Sequence, residues 1–167
     1  MAICAQSSKW TGITNVSFKG TFNRRPKNSN INLPLGWFAV QFGHVTSCTP
    51  EAGKNLRHKV HGRWFEISSE KGKIIRNIRF AASNQIAFKG HKAKKLICID
   101  WQGWIDLNGR DGTSKLPLKL KIREVNWWAA LIALPKHPDP AVRASTYLGL
   151  VSLSLGLLSI FLALLAT

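Results

Sequence analysis

A mainly β fold is what this sequence predicts: a small antiparallel barrel or sandwich with room for one short helix, followed by a single C-terminal transmembrane helix. Three observations carry that expectation. From residue 32 onward apolar and polar residues alternate with period two, as on a half-buried strand. No segment before residue 125 repeats its apolar residues at helical spacing. The last 24 residues, Ala144 to Thr167, read ASTYLGLVSLSLGLLSIFLALLAT and hold no charge.

The elements follow in order. Residues 1–30 contain no Asp or Glu, are rich in Ser, Thr and Asn, and carry five Lys or Arg. That composition suits an organellar transit peptide, above all a plastid one, or a disordered basic arm. Against targeting, Val16, Phe18 and Phe22 fall on alternate positions, as in a first strand. The basic β-rich domain is read as residues 31–134. Its expected strands are 36–42, 63–68, 73–80 and 85–89, then one long strand over 95–107 broken at Gly103 by a bulge, and last 115–124. Residues 43–62 read as a polar loop. Asn108-Gly109 and Asp111-Gly112 are turn signals.

The strand 115–124 has the cleanest pattern. Leu116, Leu118, Leu120 and Ile122 point one way, and Lys119, Lys121 and Arg123 the other. After it comes a short apolar run, residues 125–134, that opens on Trp127 and Trp128. Ten residues as a helix are too few to span a bilayer, so this run is either an interfacial segment or a core element of the soluble domain. Residues 135–143 hold Pro135, Pro138 and Pro140 and read as a stiff, extended linker.

Residues 144–167 as a helix measure about 36 Å, enough for a hydrocarbon core of about 30 Å with some tilt. Ser145, Gly149, Ser152, Gly156, Ser159, Ala163 and Ala166 recur at alternating steps of four and three, which places them on one helix face. Close helix packing in lipid needs small residues at the contact. Gly149, Ser152, Gly156, Ser159 and Ala163 are therefore the expected packing positions, against a copy of this helix or another subunit. Lys and Arg stand before the span and none after it. That bias predicts a single-pass, tail-anchored protein whose body faces cytosol, stroma or matrix, in a plastid or other organelle if the N-terminus is cleaved. Three widely spaced cysteines, Cys4, Cys48 and Cys98, agree with a reducing compartment.

Twenty-four Lys and Arg against eight Asp and Glu give a formal net charge of +16. Such a field attracts polyanions: anionic lipid, an acidic protein, or nucleic acid. The candidate anion-binding residues are Arg76, Arg79, Lys94, Lys95, Lys119, Lys121 and Arg123. Trp37, Trp64, Trp101 and Trp104 in the expected strands read first as core, with base stacking as the minority role.

Reactive chemistry is thin. His58 and His61 form a close pair with Cys48 upstream, but a structural zinc site needs four ligands and shows tight pairs at both ends. No nucleophile elbow or phosphate loop is present. No cofactor is expected, and a metal-dependent enzyme built on the 43–62 loop is the weakest reading. The expected function is non-catalytic: a membrane-anchored accessory or assembly protein whose basic domain binds an acidic partner or anionic membrane surface. The alternative is a membrane-tethered nucleic-acid binder such as a viral movement or replication-associated protein.

Overall fold

The computed structural model describes residues 16–25, 31, 33–46, 60–88, 90, 92–109 and 116–165. The chain divides into two units, which part between Trp127 and Trp128. In the first, six strands close into a barrel: β1 (Ser17–Arg24), β2 (Trp37–Gln41), β3 (Trp64–Ser68), β4 (Lys73–Ala81), β5 (Leu96–Ile99) and β6 (Leu118–Glu124). Their order around the barrel is β1-β5-β2-β4-β3-β6. Closure pairs every strand on both sides and so leaves no open edge. Four pairings are antiparallel, whereas β1 with β5 and β2 with β4 run parallel. The first strand lies inside residues 1–30.

Period two explains the barrel interior. In β1, Phe18 and Phe22 are buried while Lys19 and Thr21 face out. Gly20 between them has no Cβ, and one added there would meet the Phe22 ring at 3.0 Å. In β6, Leu120 and Ile122 point in and Lys119, Lys121 and Arg123 point out, as their alternation requires. Leu116 precedes the strand and is exposed, so it does not belong to the inward row. Phe38, Phe65, Ile67, Ile78 and Ile97 complete the central core. A smaller apolar layer joins Ala39, Ala81, Ile86, Leu96 and Cys98. All four residues of β5 are thereby buried, which accounts for its unbroken apolar run.

Two expected strands give way to helix. Over 85–88 there is no strand, and Lys89 lies outside the described residues; Ser83–Ile86 form a helical turn, α2, because the Gln85 side chain accepts the Ala82 amide and Ile86 is buried. The long strand over 95–107 stops at Ile99, and Trp101–Asn108 form α3 (α1 is the short Gly43–Thr46). Asp100 caps α3 by accepting the Gly103 amide at 2.9 Å, and Gly103 is no bulge but a close-packing position against Ile74 and Ile99. Trp104 and Leu107, three apart, are then both buried.

The second unit is helical. Trp127–Ala133 form α4, Leu134–Lys136 a 3₁₀ turn, and Pro140–Leu165 the 26-residue helix α5. The expected extended linker over 135–143 is therefore confined to residues 137–139. Pro140 opens α5, where a missing N–H costs nothing, and Asp139 accepts the Ala141 amide at 2.9 Å. Helix α5 is long and apolar enough to cross a membrane, with a mean hydropathy of 2.5 and no buried residue.

Candidate anion-binding groove

The outer faces of β1, β6 and β3 form an open groove of about 620 Å³. Register decides what lines it. Lys19 of β1 lies opposite Lys121 of β6, and Thr21 lies opposite Lys119. On the other side of β6, Ser68 of β3 lies opposite Lys121. Same-face residues along a strand are about 6.7 Å apart and cross-strand partners about 5 Å. Three ammonium groups thus share one patch with the hydroxyls of Thr21, Ser68 and Ser69, and Glu70 is the carboxylate at its rim. Like charges placed opposite one another cost about 0.2–1 kcal/mol per pair, so this arrangement favours an anion. None of the three lysines makes an ion pair among the described residues.

The groove wall is held by a tight turn. Ser69 donates to the Leu107 carbonyl and accepts the Lys71 and Gly72 amides, both at 3.1 Å. Gly72 packs on the Asp106 carbonyl so closely that a Cβ there would overlap it. The C-terminal end of α3 therefore fixes the β3–β4 turn beside the lysines.

The other candidate cations lie elsewhere. Arg123 donates to Glu66 at 2.9 Å, on the same strand face but engaged. Arg76 is buried, with Nε 3.5 Å from Asp100 and Nη1 donating to the Ile75 carbonyl, so its charge is met inside the fold. Arg79 lines a separate cleft of about 310 Å³ with Trp37, His61 and Gln85. Lys94 and Lys95 stand exposed on a 3₁₀ turn before β5. The sequence pattern does not single out Lys19; only its alternation with Phe18 and Phe22 marks it as facing outward, and its partner across the ladder is a matter of register.

Among the described residues two groups have shifted titration. Arg24 lies 4.7 Å over the Trp101 ring; burial lowers its pKa, and the charges of Cys98 and Asp100 oppose that shift. His44 stacks on Phe18 at 5.4 Å and donates from Nε2 to the Lys94 carbonyl at 2.7 Å. Burial lowers its pKa; the Lys94 carbonyl opposes this and the Lys94 charge adds to it. His61 is exposed beside Trp37, while His58 and Cys48 lie outside the described residues. Among the described residues no three His, Cys, Asp or Glu side chains converge as metal ligands.

On α5, Gly149, Ser152, Gly156, Ser159 and Ala163 are all exposed, and a Cβ on either glycine would meet nothing within 4 Å. Ser145, Thr146, Ser154 and Ser159 each donate to the carbonyl four residues back. Trp127 and Trp128 are exposed on α4.

No family model matches the chain, and no curated protein matches it with significance. Among solved structures it is similar to an apo expansin from Clavibacter michiganensis, with 10% identity and a TM-score of 0.38 over 66% of this chain and 51% of that one. The chain thus spans about half the length of that expansin.

Proposed function

We propose that this chain is a non-catalytic accessory or assembly protein, held in a membrane by α5, whose barrel binds an acidic segment of a protein partner in the groove between β1, β6 and β3. The observation that carries the proposal is the convergence of Lys19, Lys119 and Lys121 with no ion pair among the described residues. A groove lined by hydroxyls and ammonium groups suits an extended acidic chain better than a flat bilayer. Two features support the anchor. Four hydroxyls of α5 are satisfied within the helix, as hydrocarbon demands. Lys136 and Arg143 precede the apolar run, on the side that stays in cytosol, stroma or matrix.

The test uses the full chain in zwitterionic nanodiscs, titrated with a fluorescent oligoglutamate peptide and with a single-stranded oligonucleotide of equal charge. Lys119→Glu with Lys121→Glu should weaken peptide binding about tenfold, since two reversals at exposed sites are together worth on the order of 1–2 kcal/mol. Trp37→Ala should leave it unchanged. A second reading, binding of single-stranded nucleic acid, is favoured by the Trp37–His61–Arg79 cleft, where a base could stack beside a guanidinium. Preference for the oligonucleotide, lost in Trp37→Ala, would replace the first reading with the second.

A further inference from the structure

Helix α4 carries its apolar residues on the wrong side for a water-soluble element. Trp127, Trp128, Leu131 and Ile132 are 59%, 60%, 43% and 80% exposed, while Ala130 is buried and Ala129 and Ala133 are half-buried. At about 100° per residue the four bulky side chains fall within an arc of about 140°, and the three alanines occupy the opposite side. A helix completing a core would reverse that arrangement. Seven residues, about 10 Å, are also too few to span a bilayer or to hold a helix alone in water.

We infer that the bulky face of α4 is immersed in the headgroup layer of the membrane that α5 enters, so that the chain meets the bilayer through an in-plane helix as well as a span. This rests on the reading of α5 as the anchor. Continuity identifies the occupant: only residues 134–139 separate α4 from a helix with no buried residue. Those residues interrupt the helix instead of extending it. Pro135 sits in the 3₁₀ turn, His137 is buried and accepts the Asp139 amide at Nδ1, and Asp139 then caps α5. Residue types agree with that depth. Paired tryptophans settle at the headgroup level, α4 holds no carboxylate, and Lys136 within the connection and Arg143 in the first turn of α5 are both exposed.

Depth is measurable on the full chain in phosphatidylcholine–phosphatidylserine vesicles. In a Cys4→Ser/Cys48→Ser background, where the remaining Cys98 is buried, a nitrobenzoxadiazole probe is placed singly through Ile132→Cys, Leu153→Cys or Lys73→Cys. At 132 the emission should shift to the blue, and aqueous iodide should quench it several-fold less than at 73. Lipid spin-labelled near the headgroup should quench 132 more than lipid labelled near the chain end, with the reverse order at 153. If 153 is shielded while 132 is quenched by iodide as strongly as 73, α5 remains an anchor and the inference about α4 fails. If 153 is itself open to iodide, the anchor reading falls and takes this inference with it.

Discussion

Phe18 and Phe161 are the same residue in one chain, yet the first is 1% exposed and the second 58%. The barrel turns its phenylalanines inward and its lysines outward, the arrangement water imposes on a strand. Helix α5 turns nothing inward, because all of its faces are apolar and none is buried. The two regions therefore differ in what their apolar side chains touch: the barrel buries its own, and α5 buries none. In the barrel a residue's energy comes from its protein neighbours, whereas in α5 it comes from whatever surrounds the helix. Matched substitutions in the two regions test that difference directly.

The largest contrast is between Trp104 and Leu153. Trp104 is fully buried in the core under α3, and Leu153 is exposed on α5. Trp104→Ala should cost the barrel about 3–5 kcal/mol in denaturant unfolding followed by near-ultraviolet circular dichroism. Leu153→Ala should leave that transition where it is. The indole Nε1 of Trp104 has no hydrogen-bond partner among the described residues, so Trp104→Phe should cost much less than the alanine change. In the other direction, Leu153→Arg should spare the barrel but disfavour insertion by about 3 kcal/mol, read as the fraction of chain released by alkaline extraction. A barrel transition moved equally by Trp104→Ala and Leu153→Ala would break the comparison.

Glycines give the next, smaller contrast. Gly72→Ala drives a methyl group into the Asp106 carbonyl and should destabilise the barrel by about 1–3 kcal/mol, loosening the turn that walls the lysine groove. Gly156→Ala adds the same methyl group where nothing lies within 4 Å, and should leave barrel unfolding unchanged. If the small-residue face docks α5 on another membrane helix, Gly156→Leu should weaken association in a membrane reporter assay while Leu157→Ala has the lesser effect. Equal effects would remove the small-residue face as an interface.

The sequence was readable wherever one physical pattern acted alone. Strands β3 and β6 follow period two, β2 is an apolar run buried on both faces, β4 keeps the period in Ile74, Arg76, Ile78 and Phe80, and α5 follows length and hydropathy. Helix α3 was hidden because Trp101, Gly103, Ile105 and Leu107 alternate as a strand would, while Trp104 and Leu107 also suit a helix. The Asp100 cap and the contact of Gly103 with Ile74 and Ile99 decide it, and the second of these is tertiary. The parallel pairs β1–β5 and β2–β4 join segments far apart in the chain, which no local pattern encodes. For the groove, Lys119 and Lys121 were legible from β6 alone, but Lys19 and Ser68 arrive only through register.

The smallest expected effect concerns a single proton. His44 stacks on Phe18 and packs at a tilt against Phe22, and burial holds its pKa below the ordinary histidine value. In the unfolded chain the same imidazole titrates near about 6.5. As pH falls below that value the unfolded state takes up a proton before the folded state does, so stability falls with pH. The contribution is complete above about 6.5 and is lost progressively toward the lower folded-state pKa. The Lys94 charge further disfavours the protonated form. His44→Phe keeps a ring in the stack and removes the titration, although it gives up the hydrogen bond to the Lys94 carbonyl. The unfolding free energy of the variant should therefore start lower at pH 7.5 and decline less steeply than that of the native chain between pH 7 and 5. Parallel slopes would mean that His44 titrates alike in both states, and that its stacking at the barrel wall leaves it as open to water as an imidazole on the surface.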